Sequence, residues 1–274
     1  MNSIFTQETS AIRHKNKPLI VDIIGVPGCG KSTAIRHLET ILKKTTIRYS
    51  DSETVNNWRK EKIIGKKIGF RSLIGKKISW RLPVIFFRSP VETYYLMKYF
   101  FSVHPISKQR LDHAKYVLKS QAFVKSLEKN NYDVIFTDEI GFNMLFTLSI
   151  GGNKQNLSML IKTAEVFQKQ SPRLVFYIEV TPEIALDRIR ARAGMVRGFP
   201  MHPFHDEIFE NMSEDDSIQI SCERVEVIES IFSGIANVSD NAIKISGQLS
   251  PEQIASIMER NIEKYLRLGA RLNF

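Results

Sequence analysis

The stretch PLIVDIIGVPGCGKST, Pro18 to Thr33, decides the fold. Its first half is an apolar run interrupted only by Asp22, the composition of a parallel strand covered on both faces. Its second half, GVPGCGKST, carries the pattern G-x-x-x-x-G-K-[ST] at Gly25, Gly30, Lys31 and Ser32. A helical pattern then runs from Lys31 to about Lys44. A glycine-rich turn between a buried strand and a helix lets backbone N–H groups converge on phosphate oxygens. The helix N-terminus adds partial positive charge, and the lysine reaches the terminal phosphates. Gly25, Pro27, Gly28, Cys29, Gly30, Lys31, Ser32 and Thr33 are therefore read as the cradle of a nucleoside triphosphate, with ATP the expected ligand. The Ser32 hydroxyl is the expected Mg²⁺ ligand. A chance glycine-rich turn would not need both the complete pattern and this setting.

Outward from this stretch, strands and helices alternate. Thr45 to Ser50 reads as a short second strand, Tyr132 to Glu139 as a buried third and Arg173 to Val180 as a fourth. Helical patterns occupy Val91 to Phe101, about Ser107 to Asn130, Asn156 to Gln170 and about Asp206 to Phe232. Thr181-Pro182 starts a further helix that stops at Gly194, with a hydroxyl for the N-cap and proline at the first helical position. Ala242 to Ser246 is a last strand. Ser250, Pro251 and Gln253 then form a capping-box signature for the closing helix. The alternation predicts an α/β, three-layer P-loop NTPase fold: about five parallel strands, helices on both faces and a basic insertion after strand two. No Gly/Ser-rich linker divides the chain, so residues 1–274 read as one domain, with the insertion at about 59–106 and a lid region at about 182–206.

No run reaches the ~18 to 20 apolar residues of a membrane-spanning helix, and the first seventeen residues lack the apolar core of a signal peptide. The only cysteines, Cys29 and Cys222, are far apart, so free thiols in a reducing, cytoplasmic setting are expected. Cys29, at a helix N-terminus, reads as open to thiol modification. The net charge of +10 is local. Arg59 to Arg81 holds nine basic residues against Glu61 alone, which leaves the rest of the chain close to neutral.

The end of the third strand, Thr137-Asp138-Glu139, places acids where Asp138 can hold Mg²⁺ through water. Asp22, inside the first strand, reads as structural. His202, His205 and Asp206 lack further ligands nearby in sequence and read as loop residues.

With these motifs in order, the chain resembles deoxynucleoside kinases and thymidylate kinases. SETVNNWR is similar to their Glu-Pro-Val-x-x-Trp-Arg, carried by Glu53, Val55, Trp58 and Arg59, with Thr54 in place of the proline. The resemblance implies that Glu53 is the base taking the acceptor hydroxyl's proton and that Trp58 lines the acceptor pocket. LDRIRARAG, Leu186 to Gly194, looks like their lid helix. Arg188 and Arg192 share a face at i, i+4, and the resemblance implies that they close over the moving phosphoryl group, while Arg190 points elsewhere. The tail from Ala242 resembles the closing strand and helix, whose connecting loop lies beside the adenine in that group. At the third-strand end this chain has Asp138-Glu139, without the arginine those kinases carry. Glu139 then becomes an acceptor-side acid, and a nucleoside, a nucleoside monophosphate and a sugar-like compound all stay open as acceptors.

The insertion says nearly the same thing twice, IGKKIGFR at 64–71 and IGKKISWR at 74–81. Its pattern fits alternation slightly better than a helix. Three contacts suit a basic segment tipped with Phe70 and Trp80: an anionic acceptor, an anionic membrane surface, or nucleic acid, the least favoured. The plain alternative is a solvated insertion whose aromatics pack on the core. The expected function is thus an ATP-dependent phosphotransferase, with Lys31, Glu53, Asp138, Arg188 and Arg192 catalytic. The rival is a P-loop ATPase or switch in which Glu139 polarises water and the insertion docks. Oligomeric state stays open.

Overall fold

The computed structural model describes residues 17–51, 123–137, 157–193, 214–237 and 239–271, together with Thr54, Pro90, Val91, Tyr94, Tyr95, Lys98, Ser120 and Gln121. The repeat at 64–81 lies outside the described residues, as does most of the insertion around it.

Five strands form one parallel sheet: β1 (Leu19–Ile24), β2 (Tyr49–Ser50), β3 (Val134–Phe136), β4 (Arg173–Glu179) and β5 (Ala242–Ser246), in the order β2-β3-β1-β4-β5. All six residues of β1 are buried. Successive strand side chains point to opposite faces, so both faces of the central strand are covered, as its unbroken apolar sequence requires. The chain leaves β1 for β2 and β3 on one side, then crosses to β4 and β5 on the other. The carboxyl end of β1 therefore stands where the strand order reverses, the place at which open α/β sheets bind ligands. This is the P-loop NTPase-like α/β architecture expected from the sequence.

Five helices are described from end to end along the backbone: α1 (Lys31–Leu42), α2 (Leu157–Gln170), α3 (Pro182–Ala193), α4 (Glu214–Ala236) and α5 (Pro251–Arg271). In α1 the buried residues Ala34, Ile35, Leu38 and Leu42 make one stripe. In α5 the stripe is Ile254, Ala255, Met258 and Ile262. These two helices pack on each other, and α4 packs on α2 and α3. The stripes join Val21, Ile23, Phe136, Phe176 and Ile178 of the sheet in one core. Among the described residues, no helix is long and apolar enough to cross a membrane.

The expected caps are present. The Ser250 N–H donates to Gln253 Oε1 at 2.9 Å, and the Gln253 N–H donates back to Ser250 Oγ at 3.3 Å, so two helix-end donors are satisfied reciprocally. Several boundaries differ from expectation: β3 is Val134–Phe136, shorter than the expected Tyr132 to Glu139. Strand β2 is Tyr49–Ser50 rather than Thr45 to Ser50, because Thr45 belongs to the turn that follows α1. Its N–H and hydroxyl both donate to the Leu42 carbonyl, at 2.9 and 2.8 Å, and this leaves only the last residues free to pair with β3. Helix α4 continues four residues past Phe232, through Gly234. A Cβ on Gly234 would strike Ile161 of α2, so this glycine serves close helix packing and does not end the helix.

Asp22 is structural, as expected. The Arg173 Nη1 donates to Asp22 Oδ2 at 2.6 Å, and the Thr137 hydroxyl donates to Asp22 Oδ1 at 2.5 Å. All three side chains are buried, and together they pin β1 to β4 and to the residue after β3.

Candidate functional site

The phosphate-loop residues named from the sequence, Gly25 to Thr33, form the turn at the carboxyl end of β1 and the first turn of α1. Gly30 is the N-cap, in the left-handed region at φ 98°, with no side-chain cap and no acidic residue in the first turn of α1. By contrast, α3 and α5 carry Glu183 and Glu252 there. The Glu183 carboxyl lies below its usual range because backbone N–H donation and the Thr181 hydroxyl favour its charged form. At α1 no acid answers the helix dipole, which suits its start to an external anion.

Gly28 shows how tightly the cradle is backed. Its φ is +86°, and a Cβ there would run into the Ala185 carbonyl of α3. The loop is therefore seated directly on the backbone of α3. Lys31 turns inward over the loop: its Nζ donates to Gly25 O at 2.6 Å and Val26 O at 3.3 Å, and lies 3.6 Å from Cys29 Sγ. Cys29 is buried, 1% exposed. The expectation that it is open to thiol modification is corrected: burial against Gly25 and Lys31, which local sequence does not reveal, removes the access that modification requires.

Arg188 reaches this site, at a place the sequence did not suggest. Its Nη2 donates to Gly247 O at 2.9 Å and its Nη1 to Cys29 O at 3.4 Å. Arg190 is exposed, in keeping with its assignment to another face. Arg192 lies one turn further along α3, and its side chain lies outside the described residues. Glu53, Trp58, Asp138 and Glu139 also lie outside them. Their described neighbours are ordered around hydrogen bonds. Asp51 Oδ1 accepts from the Thr54 N–H at 2.7 Å and from the Thr54 hydroxyl at 2.6 Å. Proline at position 54 would supply neither donor, so threonine there closes a hydrogen-bonded turn with Asp51. Asp51 is a residue that sequence reading passed over, although Asp-x-x-Thr is its local signal. Gly247 and Ala185 were also missed, and they left no local signal.

Among the described residues, no group of three His, Cys, Asp or Glu could hold a metal. Ser32 is exposed in the first turn of α1, beside the cradle, where one hydroxyl ligand is of use to a cation already held by phosphate oxygens. The arrangement can bind a polyphosphate: a helix start without acids, a glycine turn seated on backbone and a lysine folded over it.

No family model matches this chain, and no curated protein matches it in sequence. Among solved structures it is similar to a deoxyadenosine kinase from M. mycoides with the products dCMP and a flexible dCDP bound. The identity is 12%, the TM-score 0.46, and the match covers 89% of this chain and 99% of that one. It is also similar to the protein APE1195, at 14% identity and TM-score 0.42, over 92% of this chain and 98% of that one. Similarity this low says nothing of chemistry, and the fold rests on the strand order and the loop.

Proposed function

We propose that this chain is an ATP-dependent kinase that transfers the γ-phosphoryl group to a small acceptor. The favoured acceptor is a nucleoside or nucleoside monophosphate, as in thymidylate kinases, and a sugar-like compound is the other class. The observation that carries the reading is the phosphate loop at the switch point of the sheet, with Lys31 held over it. The thiol of Cys29 is the weakest of the three acceptors around the Lys31 ammonium. A phosphate oxygen would replace that contact and leave the two carbonyl bonds in place.

In this reading the loop amides and Lys31 bind the β and γ phosphates. Ser32 and Asp138 are the residues that would hold Mg²⁺, which neutralises charge on the phosphates when bound. With a nucleoside or sugar-like acceptor, Glu53 takes the proton of the acceptor hydroxyl as its oxygen bonds to the γ-phosphorus and the bond to the β-phosphate oxygen breaks, releasing ADP. A monophosphate acceptor attacks through its own phosphate oxygen, with no hydroxyl proton to remove. Trp58 and Glu139 line the acceptor side, and Arg192 closes over the transferring group. The basic segment 59–81 offers charge to an anionic acceptor or surface.

The test is ADP release from purified protein with Mg-ATP across deoxynucleosides, nucleoside monophosphates and simple sugars. Turnover should depend on one acceptor class and fall about a hundredfold or more in Lys31→Ala. Turnover indifferent to every acceptor, yet raised by anionic vesicles, would overturn the kinase in favour of a docking ATPase.

A further inference from the structure

We propose that Arg188 is a positioning residue, a clasp that sets the phosphate loop against the β5–α5 turn, and not one of the groups that close on the transferring phosphoryl. The proposal rests on the reading of Gly25 to Thr33 as a nucleotide site. The guanidinium joins three chain segments that follow neighbouring strands: the loop after β1, helix α3 after β4 and the turn after β5. Its two terminal nitrogens are given to two backbone carbonyls, Gly247 O at 2.9 Å and Cys29 O at 3.4 Å. A planar fork suits this bridging, whereas a single ammonium is a point charge on a flexible stem.

Both ends of the bridge are anchored. The Gly247 N–H donates to Glu179 O at 2.7 Å, at the end of β4. On the loop side, Cys29 precedes Gly30, whose carbonyl accepts the N–H groups of Thr33 and Ala34 at 3.1 and 3.0 Å. Three residues before Arg188, the Ala185 carbonyl backs Gly28. Helix α3 thus holds the loop at two points, one steric and one hydrogen-bonded.

The consequence follows from peptide geometry. In a trans peptide the C=O and the following N–H point in opposite directions. Holding the Cys29 carbonyl toward Arg188 sends the Gly30 N–H the other way, away from α3. The clasp therefore acts through the orientation of a loop amide. The Gly30 amide is assigned to the β-phosphate, which ADP and ATP share, so loss of Arg188 should weaken both nucleotides alike. An arginine that touches the γ-phosphate would instead separate them.

The experiment is equilibrium binding of Mg-ADP and Mg-ATP, without acceptor, to wild type, Arg188→Ala and Arg188→Lys, with the melting temperature of each free protein measured alongside. The expected result is that Arg188→Ala raises both Kd values by the same factor, roughly three- to tenfold, and that Arg188→Lys does the same because one ammonium does not hold both carbonyls. Three results overturn the clasp: a loss confined to ATP, wild-type affinities in the lysine variant, or unchanged affinities with only a lowered melting temperature. If the alanine variant does not fold, the lysine variant decides alone. Wild type binding neither nucleotide removes the clasp together with the nucleotide site, whereas wild-type binding with unequal losses removes the clasp and leaves the site standing.

Discussion

At Gly28 a single added carbon meets backbone on one side and a disfavoured φ on the other. The φ of +86° is one that L side chains rarely adopt, and the Ala185 carbonyl occupies the space of a Cβ. Backbone cannot turn aside as a flexible side chain would. Gly28→Ala should therefore cost about 1–3 kcal/mol of stability and abolish ADP binding, seen in urea unfolding and nucleotide titration. A variant that binds ADP like wild type would contradict the account of the loop as seated on α3. Single residues were partly legible. The glycine-lysine pattern marked the loop, since it lies within nine consecutive residues. That Cys29 is buried, and that Arg188 spends its guanidinium on carbonyls of Cys29 and Gly247, could not be read from neighbours in sequence.

Strand β2 is two residues long and lies at the sheet edge, so its pairing with β3 needs help from side chains. Asp133 supplies it. Its Oδ2 accepts from the Arg48 N–H at 2.9 Å and from Nε at 3.1 Å, and its Oδ1 accepts from Nη2 at 2.9 Å. The Arg48 guanidinium holds the Asp133 carboxyl below the usual carboxylate range, against the opposing effect of partial burial. A depressed folded pKa contributes stability that is present above the unfolded value, near 3.8, and is lost as pH falls through the folded value. Asp133→Asn should lower the melting temperature by ~2 °C at neutral pH, since the pair is partly exposed. That deficit should shrink as pH falls below the unfolded value, which calorimetry at two pH values would show. An equal deficit at both would mean that charge is not its source. Elements with local signals were legible: Thr181-Pro182 and the Ser250–Gln253 box mark helix starts through contacts three residues apart. A two-residue edge strand has no period to recognise, and the turn after α1 holds Thr45, which bonds to Leu42 O instead of to a strand.

At the scale of the whole molecule, a buried ion pair among the described residues joins positions 151 apart, and Thr137 bonds the same carboxylate. Removing one partner leaves a buried charge without its main counter-charge. Asp22→Val and Arg173→Met should each cost about 3–5 kcal/mol, while the double variant Asp22→Val/Arg173→Met should cost clearly less than their sum. Denaturant unfolding of the four proteins measures this, and simple additivity would remove the pair from the account of the core. Sequence alone determined the alternation of strands and helices, the phosphate loop between β1 and α1 and the caps of α3 and α5, because each depends on residues within a turn or two of one another. The tertiary structure alone decided the strand order β2-β3-β1-β4-β5, the partners of Asp22 and the carbonyls that hold Arg188. Those contacts join segments far apart in the chain, and they arise only when packing brings the segments together.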